Sequence, residues 1–341
     1  MCLAVISQRP EHLRSVSKTE SALTISSYLS YARGCDPGEI IARARQLGVN
    51  EMSLYFAAVP GFQENCVLDP VALREIVGRL DDAKIRVPAM MNWLGGGYSD
   101  MRSRKPDHDL TLNPSAHRRE IDGLLASIET MADLGVETLF THIDTPAMLD
   151  TALDEPMWEG LISIYRELVA LAELRGTKIA NHAIWMAVPK SLQEEARARN
   201  VSLSTYRSFR MPGWRGPYLL ADAGHVARLI EAVPSPNNGA CVCTGMYMMG
   251  DDPIDAVRWF GRKIFFVQIR DLRGRWPLSE PVFPGSGEVD FSGLLETIVA
   301  SGYRGTVHVE HLGRERFAGE DLETAALEYL RPLVEKANAR R

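Results

Sequence analysis

The sequence has no basic surplus: 38 Lys and Arg stand against 44 Asp and Glu, a formal net charge of -6. Nucleic-acid binders present a basic surface, so this balance excludes a polyanion as the main partner and points to a small molecule. Long apolar runs are also missing. No stretch reaches the ~18 to 20 apolar residues of a membrane span. The opening MCLAVISQRPEH lacks the preceding basic region and the length of a signal peptide. Cysteine is scarce, with five residues at 2, 35, 66, 241 and 243. They form no evenly spaced framework, which excludes a disulfide scaffold and implies reduced thiols in a cytoplasmic protein. The pair Cys241/Cys243 is CxC rather than the repeated CxxC of a zinc ribbon. Composition shifts, low-complexity tracts and short repeats are absent as well. After a polar leader at 1–20, a single domain over 21–341 is expected.

Short apolar or β-branched runs do alternate with longer segments of helical period through to the C-terminus. That rhythm specifies parallel βαβ units. Eight strands are expected: Leu23 to Tyr28, Glu51 to Phe56, Arg86 to Asn92, Glu137 to His142, Lys178 to His182, Gly239 to Thr244, Ile264 to Arg270 and Gly305 to His311. The stretches between them have acidic or proline-marked starts and apolar residues three and four apart, and several stop at Gly48, Gly135, Gly176 and Gly302. The fold class is α/β, a (β/α)₈ barrel. The gap between the fifth and sixth strands is longer than one crossover helix needs, so 185–214 is expected to form a lid or insertion at the barrel mouth. It carries Lys190, Arg197, Arg199, Arg207 and Arg210. These cations are either a solvated face or, with Arg210 the candidate, a contact to an anionic substrate group.

A barrel of this kind builds its site at the carboxyl ends of its strands. The candidates there are Asn92 and Trp93, His142 and Asp144, His182, Cys243, Gln268, Arg270 and Asp271, and His308, Glu310 and His311. Residues two apart share a strand face, so several of these converge on the interior. Imidazole, thiolate and carboxylate gathered in one buried place are costly without a cation. His182, Cys243 and Glu310 are therefore the expected ligands of a divalent metal. Asn92, Trp93, His142 and Asp144 are candidate substrate contacts, and each could equally be barrel filling or a hydrogen-bonded structural residue.

The stretch SPNNGACVCTGMYMMGDDPIDAVRWFGRKIFFVQIRDLRG, Ser235 to Gly274, resembles the D-mannonate dehydratase family, whose NG-x-x-x-CTG strand precedes a helix and an H-x-R strand. EPMWEGLISIYRELVALAELRGTKIANHAIW is similar to that family's fifth unit. FPGSGEVDFSGLLETIVASGYRGTVHVEH looks like the closing pattern of the wider xylose-isomerase-like barrels. The resemblance implies a manganese site, with magnesium, cobalt or iron(II) as alternatives, at His182, Cys243, Gln268 and Glu310. Gln268 replaces a histidine of the family with a neutral carbonyl oxygen. The resemblance also implies Arg270 as the residue that holds a substrate carboxylate and His311 as the general acid/base. Asp271 would fix Arg270 or a substrate hydroxyl, unless Arg270 and Asp271 simply close the rim as an ion pair. The family's acid-rich motif after the fifth-strand histidine is replaced by AIWMAVPK, and no tyrosine stands at Leu322 to Thr324 where the family has one. These departures suit a diverged lyase of sugar acids. A sugar isomerase or epimerase is the alternative, and a metal-free sugar-binding barrel is a third reading. Self-association is an open possibility by analogy.

Overall fold

The computed structural model describes residues 22–29, 34–62, 67–94, 109–148, 150–184, 190–201, 214–275, 279–310, 312 and 321–340. The strands are β1 (Thr24–Leu29), β2 (Ser53–Tyr55), β3 (Ala89–Leu94), β4 (Thr138–Ile143), β5 (Pro146–Met148), β6 (Lys178–Asn181), β7 (Trp214–Tyr218), β8 (Asn238–Cys243), β9 (Ile264–Ile269), β10 (Asp271–Arg273), β11 (Glu280–Val282) and β12 (Thr306–Val309). Eight of them close a ring in the order β1, β12, β9, β8, β6, β4, β3, β2. Every pair in that ring is parallel. These are the eight strands expected from the sequence. The third starts later than expected, at Ala89, because Pro88 has no N–H for the ladder, and it runs on through Trp93. Two antiparallel ribbons that the sequence pattern did not announce, β5 with β7 and β10 with β11, stand after the ends of β4 and β9.

Local chemistry explains why the alternation is so legible. Six of the described helices start behind an aspartate that accepts a backbone N–H of their first turn: Asp36, Asp69, Asp222, Asp252, Asp290 and Asp321. Each such cap stabilises its helix by about 1 kcal/mol. Gly48, Gly135, Gly176 and Gly302 all have positive φ, between 62° and 90°, and turn the chain back toward the next strand.

The core has two parts, as strand alternation requires. Leu139, Ile179, Val242, Val267 and Val307 face outward into the main cluster with the helices. Ala89, Met91, Phe140, Ala180, Cys241 and Phe266 face inward and fill the barrel. Inside, Phe140 stacks on Phe266 at 5.0 Å between ring centroids, and Phe266 stacks on His308 at 4.3 Å. This aromatic layer is a floor beneath the carboxyl-end rim.

His308 belongs to that floor. Its Nε2 meets Ser53 Oγ at 2.9 Å, its Nδ1 lies 3.3 Å from Val267 O, and burial pushes its pKa down to about 4. The unfolded chain takes up this proton near pH 6.5, whereas the folded barrel refuses it until about pH 4. Stability from His308 is therefore complete above about pH 6.5 and is lost as pH falls through that window, by on the order of 3 kcal/mol. Urea unfolding at pH 7 and at pH 4.5 measures the loss. A His308→Gln variant should show a flatter pH dependence, and equal slopes in the two proteins would refute this assignment.

The seam between the first and last strands is tied from outside. Asn338, on the terminal helix Leu322–Ala339, exchanges two 2.9 Å bonds with the backbone of Leu23. Arg43, on the first helix Pro37–Leu47, holds Asp321 at 2.7 Å and 2.8 Å and also Glu323. The Arg43 guanidinium keeps the Asp321 carboxyl well below the usual carboxylate range.

Candidate functional site

Register places the expected residues at one rim. Trp93 is paired with His142 across β3 and β4, and Cys243 with Gln268 across β8 and β9, while His308, two residues before Glu310, is paired with Gln268 across β9 and β12. All are inward positions. Asn92 is the exception: it alternates with Trp93 and pairs with Thr141, on the side that faces the helices. Thr141 Oγ1 donates to the Asn92 carbonyl at 2.9 Å. The expectation that Asn92 lines the substrate space is corrected by this parity.

One wall of the rim is aromatic. The Trp93 ring lies 5.9 Å from the His142 ring and 5.8 Å from the His182 ring, and His182 meets the edge of Phe140 at 4.9 Å. His142 Nδ1 is 2.7 Å from the His182 carbonyl, which fixes the proton on that nitrogen and leaves Nε2 facing Asp144 Oδ1 at 3.6 Å. Asp144 is buried, so this carboxylate and imidazole are matched at short range inside the barrel.

The opposite wall is ionisable. Cys243 Sγ lies 3.4 Å from Glu310 Oε2, a contact across β9, since β8 and β12 are not neighbours. Burial, and then the Glu310 charge, push the Cys243 thiol far above its ordinary range, while Arg270 pulls it partly back. Cys241 Sγ approaches Gln268 Oε1 at 3.9 Å on the layer below.

Arg270 is mounted by residues that the motif CTG supplies. Thr244 Oγ1 donates to the Arg270 carbonyl at 2.6 Å and accepts its N–H at 2.8 Å. Gly245 leaves the space through which the arginine stem runs: a Cβ there would sit 1.6 Å from Nε and 2.4 Å from Cδ. Thr244 stands at the end of the sixth expected strand and CTG belongs to the stretch that carries the family resemblance, but neither Thr244 nor Gly245 was given a role from the sequence. A further signal was a glycine directly after a strand end, which marks close approach of another group.

Asp271 behaves differently from expectation. Its carboxylate accepts the amides of Leu272 at 3.0 Å, Gly285 at 2.9 Å, Gly287 at 2.7 Å and Val289 at 3.1 Å. It is fully buried, and Gly287 packs so close that a Cβ there would lie 2.2 Å from Oδ1. Both oxygens are committed to the loop 285–289, so Asp271 is a loop clamp and not a partner for Arg270 or for a substrate.

His311 and Arg210 lie outside the described residues, as do the leader 1–20 and most of 185–214. The described part of that insertion is the helix Lys190–Ala198 and the residues to Val201. The segment leaves the barrel beyond Ile184, whose N–H bonds the Leu220 carbonyl at 2.9 Å, close to where the chain returns. Arg197 and Arg199 are exposed, and Arg199 pairs with Glu195 at 3.1 Å.

The donors suit a divalent cation in kind. A thiol and a carboxylate in contact inside a barrel are two latent negative charges, and Gln268, on the intervening β9, stands in register with Cys243. His182 is packed against Trp93, Phe140 and His142, and among the described residues no three His, Cys, Asp or Glu side chains gather closely enough to hold a metal. The fit is thus one of two donors in contact, with a third beside them.

Residues 41–333 match the family described as "Xylose isomerase-like TIM barrel". The chain belongs to that family. Among relatives of this xylose isomerase-like barrel, the mannonate dehydratase of Enterococcus faecalis is 29% identical over 102 residues, which is 28% of each chain. The likeness therefore spans little more than a quarter of that relative's length. The solved mannonate dehydratase of Streptococcus suis serotype 2 superposes with a TM-score of 0.65 at 13% identity, covering 94% of both chains. An L-ribulose 3-epimerase superposes with a TM-score of 0.63 at 17% identity, covering 93% of this chain and 96% of its own. At these identities the superpositions establish the fold. Among the described residues, no helix is long and apolar enough to cross a membrane.

Proposed function

We propose that this barrel is a divalent-metal-dependent hydro-lyase that dehydrates a sugar acid, or a related polyhydroxy carboxylate, to a 2-keto-3-deoxy product. The observation that carries the reading is the mounting of Arg270 by Thr244 and Gly245, beside the buried contact of Cys243 with Glu310. Cys243, Glu310 and Gln268 would hold the ion, with His182 the fourth candidate and manganese the expected metal. When bound, such an ion supplies Lewis acidity to a substrate oxygen and makes the neighbouring C–H more acidic.

The chain's own residues do the rest. Arg270 orients the substrate carboxylate through two parallel N–H bonds and stabilises the charge that grows on it when the C2 proton leaves. His311, directly after Glu310, takes up the C2 proton and delivers it to the C3 hydroxyl, which departs as water. The resulting enol returns a proton to C3 and becomes the 2-keto-3-deoxy acid. Trp93 gives the sugar's C–H face a flat wall, and His142, held by the His182 carbonyl, presents its Nε2 beside Asp144 for a hydroxyl.

Elemental analysis of protein purified without chelator, with a panel of aldonic acids as substrates, tests the reading. Stoichiometric metal is expected in the wild type and loss of most of it in Cys243→Ala. A wild type without metal even after manganese supply would sink the proposal. D-mannonate itself is not the expected best substrate, because the loop after His182 and the region of Leu322 to Thr324 depart from the family. An isomerase reading has one observation in its favour, the second buried carboxylate of Asp144 after β4. Isomerised sugars in place of 2-keto-3-deoxy acids would decide for it.

A further inference from the structure

The second strand ends in an inward residue to which the chemistry above gives no part. On β2, Ser53 points into the barrel, where its Oγ meets His308 Nε2 across β1 at 2.9 Å. Strand alternation turns Leu54 out to the helices and brings Tyr55 back to the interior, one layer above Ser53. On the last strand Glu310 stands above His308 in the same way, so Tyr55 and Glu310 share a layer as Ser53 and His308 do. Tyr55 packs with Trp93 against the interior cluster of Met91 and Phe140, and it is in register with Met91. The next residue, Phe56, is outside the barrel again, edge-on to Phe62 at 5.3 Å. We propose that Tyr55 is a specificity-determining residue of the rim, whose phenol hydroxyl hydrogen-bonds a hydroxyl on the half of the substrate that Arg270 does not hold.

Exposure and ring position carry this assignment. His142, His182, Cys243, Gln268 and Glu310 are buried, whereas Tyr55 and Trp93 keep part of their surface open. An inward side chain at the carboxyl end of a closed barrel opens toward the mouth, so these two rings line the way in. β3 stands diametrically across the ring from β9, and β2 is its neighbour. An acid whose carboxylate is held by Arg270, directly after β9, therefore extends its carbon chain toward Tyr55 and Trp93. The chemistry agrees with the position. A carbon chain bearing hydroxyls offers both C–H faces and O–H groups, and a tyrosine meets it with an apolar ring and a polar tip. The support is also fixed: the turn after Tyr55 is tied to the preceding loop by Gly34 N–H to the Ala57 carbonyl at 3.0 Å and Cys35 N–H to the Ala58 carbonyl at 2.9 Å. A donor held in place in this way tells a substrate hydroxyl from its absence. That the substrate is a sugar acid rests on the hydro-lyase reading; the placement of Tyr55 does not.

Tyr55→Phe tests the proposal, because the ring stays and the hydroxyl goes. The probes are the aldonic acid best turned over by the wild type and its analogues that each lack one hydroxyl beyond C3. The variant should keep the wild-type Tm and metal content and lose about tenfold to a hundredfold in kcat/KM on the full acid, mostly through KM. On one deoxy analogue, variant and wild type should agree within about twofold, since the lost bond has no partner there. Equal losses on every analogue would make Tyr55 a merely structural residue, and no loss on any would remove it from the site; either result overturns the proposal. Failure of the hydro-lyase reading shows itself in the wild type, which would then leave the acids unchanged. Calorimetric titration of both proteins with D-glucose, D-fructose and their monodeoxy analogues then makes the same comparison. Affinities that the variant leaves unaltered for every sugar, or the absence of any binding, would overturn the proposal as well.

Discussion

Replacing Gly245 by alanine should remove turnover while leaving the barrel folded. The added methyl would meet Arg270 at Nε, Cδ and Cγ, all within 2.5 Å. The obstruction is the middle of a side chain and not backbone, so the arginine can leave and the fold survives. It cannot leave and still aim its guanidinium as before, since Thr244 pins the arginine backbone on both its N–H and its C=O. Misplacing a charge that stabilises a developing oxyanion costs roughly 10²- to 10³-fold in kcat/KM, about 3 to 4 kcal/mol. Steady-state kinetics on the sugar acid found in the substrate panel would show it, and metal content should not change. A Gly245→Ala enzyme with ordinary turnover would mean that Arg270 is not the carboxylate anchor.

Asp271→Ala should be the more destructive change for stability. Four backbone amides lose a charged acceptor at once, and those that stay buried each cost about 1 to 3 kcal/mol. Some will find water, so a net loss of about 3 to 5 kcal/mol is expected, a fall of roughly 4 to 7 °C in Tm for a chain of this size. Scanning calorimetry measures it. Asp271→Asn should fall between, because its amide keeps one acceptor oxygen and replaces the other with a donor facing donors. A variant as stable as the wild type would show that the loop 285–289 is held by something other than this carboxylate.

These two glycine and charge pairs also show where the sequence stops being readable. The strands and their order of appearance were legible because the alternating period recurs around the ring, with six aspartate caps and four αL glycines marking helix starts and stops. The rim's membership was legible too, because position on a strand fixes the end and parity fixes the face. Parity read strictly would have excluded Asn92 beside Trp93. Distances between strands were not legible. Cys243 and Glu310 are 67 residues apart and sit on strands with β9 between them, so their contact depends on the curvature of the closed barrel. Asp271 was misread because a carboxylate after an arginine at a strand end resembles a rim ion pair. Its real partners are amides up to 18 residues further on, and the only trace of them is the turn-forming run PGSGEV.

The tie between Asn338 and Leu23, with Arg43 across to Asp321, has a consequence for how the chain is made. The first strand is synthesised early, yet its edge toward β12 and its outer clamp consist of residues about 280 to 315 positions later. The ring cannot shut until the chain has been made through β12 and the helix Leu322–Ala339, and contacts of such separation carry the largest loop-closure entropy. Nascent chains should therefore persist as open sheets with a bare β1 edge, the form most exposed to edge-to-edge aggregation. The terminal helix is then less a decoration on the barrel than its final latch, and losing it would strand the protein one step short of closure.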